Sequence, residues 1–182
     1  MACLSSINKY SKPCKSTSGG VSQLYMISYS DLKNIEGSLS KYTVDATGNM
    51  ISEIGLATDK RFAHIGILKK TVGVVENFTR TAETNSFEIT TDLTLVISDV
   101  SVDSRAFVQS LINAGEIAYI IKLKSGKFIT GGLDGFAEVS AITGGTGTAG
   151  TDLNGYTVTI SGLENELIKL VDPTIVAGIV EA

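Results

Sequence analysis

The chain has 182 residues, 43% of them hydrophobic and 19% charged, with a formal net charge of −4; that is long and apolar enough for one domain with its own core, and too apolar for a disordered chain. The acidic balance, with no local run of Lys or Arg to offset it, lacks the electrostatic footprint of a nucleic-acid binder. No apolar run approaches the roughly 18 residues of a membrane span, and the first residues lack the apolar stretch of a secretory signal, so a soluble, cytoplasmically made protein without a membrane anchor is expected.

Residues 1–20 are rich in Ser, Lys and Gly around Pro13, a composition with too little apolar area to offset the entropy of ordering. They read as an arm, either a flexible tail or a segment ordered against a neighbouring subunit. Cys3 and Cys14 are the chain's two cysteines, and no CxxC or Cys/His cluster surrounds them, so unpaired thiols are expected and a zinc site is not. After Gly19 and Gly20, Leu24, Tyr25, Met26, Ile27 and Tyr29 follow almost without interruption, as in a strand covered on both faces. Two short β-prone runs, residues 41–45 and 50–56, flank Gly48 and Asn49 and predict a hairpin. In residues 61–80 the alternation is carried by Val72, Val74 and Phe78, with Gly66 and Gly73 at expected bulges or bends.

The most strongly patterned stretch is residues 86–98, SFEITTDLTLVIS. Phe87, Ile89, Leu93, Leu95 and Ile97 fall on one side, and Ser86, Glu88, Thr90, Asp92, Thr94 and Ser98 on the other, with Thr91 and Val96 as exceptions. Together with residues 71–80 it predicts a long hairpin. At about 3.4 Å per residue the strand would exceed about 40 Å, well beyond the usual length, which suggests that this sheet continues across a subunit boundary or lines a shared channel.

The period then changes. Phe107, Val108, Leu111 and Ile112 recur at helical spacing within residues 103–114, with Asp103 at the start and Gly115 past the end. Residues 117–123 and 127–130 predict strands around the tight turn Lys124, Ser125 and Gly126. Residues 143–154 form a low-complexity loop leading into a last strand at 155–160. The tail, residues 171–182, opens with Asp172 and Pro173, which leaves helix and extended arm equally open. Its apolar Val171, Ile175, Val176, Ile179 and Val180 need a partner surface, which places this tail at a subunit contact.

Chemical motifs are sparse. Gly145, Gly147 and Gly150 fit GxGxxG letter for letter, but the loop runs into a strand where a dinucleotide site requires a helix, and no GK[ST] follows. His64 is the single histidine and sits in an alternating run beside Phe62 and Ile65, as a structural residue would. Glu164 and Glu166 read as a solvated turn. No catalytic, cofactor-binding or metal-binding residue is assigned, and an enzyme is not expected.

The order of elements nevertheless has a likeness. GGVSQLYMISYSDL, the long central hairpin, VDSRAFVQSLINAGEIAYIIKLKSGKFITGG, then TGGTGTAGTDLNGYTVTISGLENE and VDPTIVAGI together resemble the tail tube or major tail proteins of tailed bacteriophages, over most of the chain from Gly19 onward. The resemblance implies a mainly β domain over residues 21–170, built as a twisted β-sandwich or partial barrel of antiparallel strands with one flanking α-helix and a long extended hairpin. It further implies a virion structural protein whose copies form stacked rings, hexameric in the family's manner, around a hollow tube. Its partners would be itself and other tail or neck proteins, with DNA passing through the lumen without specific binding. A neck or portal-proximal ring protein and a glycan-binding β-sandwich of the virion are the alternatives.

Overall fold

The computed structural model describes residues 10–11, 19–83 and 86–181; Cys3, Cys14 and most of the expected arm lie outside them. The described chain is mainly β and forms two sheets. Strands β1 (Val21–Ser28), β2 (Tyr42–Val44), β3 (Met50–Ile54), β4 (Ala63–Ile65), β7 (Ile117–Leu123), β8 (Phe128–Gly131) and β11 (Lys169–Val171) make a seven-stranded sheet in the order β2-β3-β11-β8-β7-β1-β4. Strands β5 (Val72–Thr81), β6 (Ser86–Ile97), β9 (Ala137–Gly145) and β10 (Gly155–Glu164) make a four-stranded sheet in the order β5-β6-β10-β9. Helix α1 (Val102–Ala114) lies between β6 and β7 in sequence, and α2 (Pro173–Ile179) follows β11.

The continuous apolar runs of β1 and β7 are neighbouring interior strands of the larger sheet, both of whose faces are covered there. Leu24, Met26, Ile117, Tyr119 and Ile121 point into a core shared with Leu93, Leu95, Val158 and Ile160 of the smaller sheet and with Val108 and Leu111 of α1. Tyr25, Ile27, Ala118 and Ile120 point the other way, into a second core with Ile51, Phe62 and Leu133, against which Ile175, Ile179 and Val180 pack. The expected hairpins β2–β3, β5–β6 and β7–β8 all form. Gly126, at φ 84°, makes the β7–β8 turn, a backbone region that costs a Cβ-bearing residue strain.

Several expectations are corrected. Strand β6 is interior: β5 pairs with it from Ser86 to Leu95 and β10 from Ile89 to Ile97. Its length is therefore satisfied within the chain, and it is β5 and β9 that form the edges of that sheet. Thr91 belongs to the buried face, in register with Ile89 and Leu93, rather than breaking it. Gly73 pairs with Thr94 in unbroken register, so no bulge occurs there, while Gly66 falls where the chain passes from β4 in one sheet to β5 in the other. The N-cap of α1 is Ser101 rather than Asp103: the Ser101 side chain accepts from the Ser104 N–H and the Ser104 side chain accepts from the Ser101 N–H, a reciprocal capping box.

Residues 143–145 belong to β9, a strand hidden by its weak alternation, so the loop proper is shorter. Residues 155–160 are not the last strand, since β10 extends to Glu164 and β11 follows. Among the described residues there are two α-helices rather than one, and β11 and α2 carry the packed structure past residue 170. Asp172 caps α2 by accepting from the Thr174 N–H, with Pro173 at the first helical position. The tail packs on its own chain. Strand β11 inserts between β3 and β8, Val171 and Val176 are fully buried, and Val180 bridges to Phe62. The second face of the larger sheet is the partner surface that its apolar residues require, because an uncovered apolar sheet face must be buried against something.

Candidate functional site

The residues considered for chemistry do not converge. His64 is exposed on β4, its ring 5.3 Å from that of Tyr25. The glycine loop connects two antiparallel strands, and its interior is organised by Asp152, whose carboxylate accepts from the Thr148 and Ala149 N–H groups. These donors hold the Asp152 carboxyl below the usual carboxylate range. A loop closed on its own carboxylate presents no nest of N–H groups to a phosphate. Among the described residues no group of three or more His, Cys, Asp or Glu is placed to hold a metal ion.

Glu164 departs from expectation. It ends β10, is only partly exposed, and accepts from the Gly132 N–H at 2.7 Å. Burial raises its pKa, against the Gly132 donor, and Asp134 and Glu76 add to the rise. Beside it, Tyr42, Asp134 and Asn165 line a cleft of about 110 Å³. Tyr42 donates to Asp134 at 3.2 Å, and burial followed by that carboxylate pushes its hydroxyl up to about 12. Asn165 donates to the other Asp134 oxygen, and Glu166 pairs with Lys169. The polar groups lining the cleft are thus engaged with one another, Tyr42 and Asn165 with Asp134, Glu164 with the Gly132 N–H and Glu166 with Lys169.

The surface with a distinct character is the outer face of the four-stranded sheet. Pairing register and alternate burial turn Gly73, Val75, Asn77 and Thr79 of β5 outward, with Glu88, Thr90, Asp92 and Thr94 of β6 beside them. Thr157, Thr159 and Ser161 of β10 and Glu138, Ser140 and Thr143 of β9 complete it. Ser161 donates to Asp92 at 2.6 Å, and the Ser140 and Ser161 hydroxyls are 2.8 Å apart, so a polar chain crosses three strands. Among the described residues the charges on this face are carboxylates, and no Lys, Arg or aromatic side chain lies on it. Sequence alternation alone pointed to the β6 part of the face; the β9 part emerged only from the sheet order.

No protein-family model matches the chain, and no curated protein and no solved structure is significantly similar to it. The class that the fold itself defines is a two-sheet β-sandwich with two helices.

Proposed function

We propose that this chain is a structural subunit of a bacteriophage tail, whose copies assemble into rings stacked as a hollow tube through which DNA passes. The reading rests on the outer face of the four-stranded sheet. It is a mainly polar surface of hydroxyl and amide groups, interrupted by the apolar Val75, Val96 and Leu163, and its charges among the described residues are Glu88, Asp92 and Glu138. As a lumen wall it would repel phosphate weakly and offer it no cation, so DNA would slide rather than bind. The edges β5 and β9 support the same reading. They lie on opposite sides of one sheet, so β5 of one copy can extend the sheet from β9 of the next, a head-to-tail contact that closes into a ring when the rotation allows.

Negative-stain microscopy of the purified chain tests this. Hollow filaments of constant width are expected. Closed discs that never lengthen would point instead to a neck or portal-proximal ring protein, and a monomer at every concentration would overturn both.

A further inference from the structure

The two ends of the sandwich carry opposite charge. Antiparallel register places the β7–β8 turn, the β4–β5 crossing and the β9–β10 loop at one end. Lys69, Lys70, Lys122, Lys124 and Lys127 are gathered there, four of them exposed and Lys122 half-buried. None of the five is in an ion pair among the described residues. The acids near them are fewer: Asp99 precedes α1 and Asp103 stands in its first turn, Asp172 follows β11 beside the Phe128 end of β8 and caps α2, and Asp152 is turned into its own loop. The opposite end gathers Glu83, Glu88, Glu116, Asp134, Glu138 and Glu166. Of the cations nearby, Lys169 is paired with Glu166 and Lys41 lies 3.3 Å from the centre of the Tyr29 ring, while Arg80 stands on the hairpin.

Apolar side chains sit among the charges at both ends. Leu68, Val102 and Leu153 are exposed at the lysine end, and Phe87, Phe136 and Leu167 at the carboxylate end. Apolar side chains ringed by charge mark association surfaces rather than ordinary solvated ends. Two surfaces of opposite sign on opposite ends of one molecule cannot satisfy each other within that molecule. A second copy in the same orientation brings them together.

We propose that these ends are complementary docking surfaces, the lysine end of one copy seating on the carboxylate end of the next, so that charge pairing sets the polarity of stacking. The proposal rests on the stacked-ring reading and names its axial contact. The lateral contact, through strand edges, is held by backbone hydrogen bonds and is much less sensitive to salt. Axial contact is sensitive, since the Debye length falls from about 10 Å at 0.1 M salt to about 3 Å at 1 M.

The full chain is followed by sedimentation velocity and microscopy in sodium chloride at both strengths. Filaments are expected to shorten at high salt to single rings that persist. Filaments of unchanged length would overturn the axial proposal while leaving the tube reading intact; absence of rings and filaments at both strengths would overturn both. Two double variants sharpen the test: Lys124→Glu with Lys127→Glu, and Glu83→Lys with Glu116→Lys. Each alone is expected to lose stacking while retaining rings, and a one-to-one mixture to regain it, because the reversed ends complement each other. Failure of the mixture to stack, or stacking by either variant alone, would refute charge-directed docking. So would a duplex DNA probe that binds the parent and not the Lys124, Lys127 variant, if that variant still stacked normally.

Discussion

Substituting Val176 by Ala tests whether the C-terminal segment belongs to the subunit's own core. Val176 is 3% exposed on α2, against the second face of the larger sheet. The change removes two buried carbons, about 0.8 kcal/mol each, or about 1.6 kcal/mol in all. Incomplete collapse of the space adds to the cost, whereas the better helix propensity of Ala returns about 0.5 kcal/mol. The net expected loss is about 1 to 2.5 kcal/mol, which for a domain of this size lowers the melting temperature by roughly 3 to 8 °C. Thermal and urea unfolding followed by circular dichroism give the value, and size exclusion of the same samples reports assembly. Leu39→Ala is the control, since Leu39 is 95% exposed and such a site is worth within about 0.5 kcal/mol. If Val176→Ala unfolds like the parent while its oligomers shrink, the segment serves a subunit contact and the core assignment is wrong.

Thr91→Val should stabilise the protein, because the Thr91 hydroxyl is buried with no hydrogen-bond partner and leaving such a group unpaired costs about 1 to 3 kcal/mol; a lower urea midpoint would show that the hydroxyl is satisfied in solution. Gly131→Ala should destabilise by about 1 to 3 kcal/mol, since its Cβ would fall 2.6 Å from the Tyr119 ring carbon that bears the hydroxyl, and an unchanged melting temperature would contradict that packing. The raised pKa of Glu164 means that the folded state holds its proton more tightly than the unfolded state. Its contribution is present below the unfolded pKa and lost as pH rises through the folded one. Glu164→Gln should therefore flatten the decline in stability above about pH 4.3, the ordinary glutamate value; an unchanged pH profile would remove Glu164 from the account. Soaking with ATP or a dinucleotide should leave the melting temperature unmoved, because the 146–154 loop is closed by Asp152; a rise that scales with ligand concentration would show binding.

Local pattern determined a large part of this molecule. Two-residue alternation marked β5 and β6, an uninterrupted apolar run marked β1 as covered on both faces, and a change of period marked α1, because each pattern reflects how side chains leave a single segment of backbone. Short-range turn chemistry likewise located the β2–β3 and β7–β8 hairpins. Other features depended on partners remote in sequence. Strand β9 alternates poorly because its register with β10 shifts between Thr159 and Ile160, and β11 is three residues whose strand character comes from β3 and β8 on either side. The apolar tail showed that Val171, Val176 and Val180 needed cover, but not whether another subunit or the chain's own sheet supplied it. Glu164 looked solvated because its cover, Gly132 and Asp134, comes from the β8–β9 connection. The carboxylate and hydroxyl face had no sequence signature beyond the β5–β6 hairpin, since β10 meets β6 by register across the intervening α1, β7, β8 and β9 rather than by adjacency in the chain. Burial and pairing are properties of the assembled sheets, so a sequence read one segment at a time states which faces need a partner, and only the tertiary structure decides what that partner is.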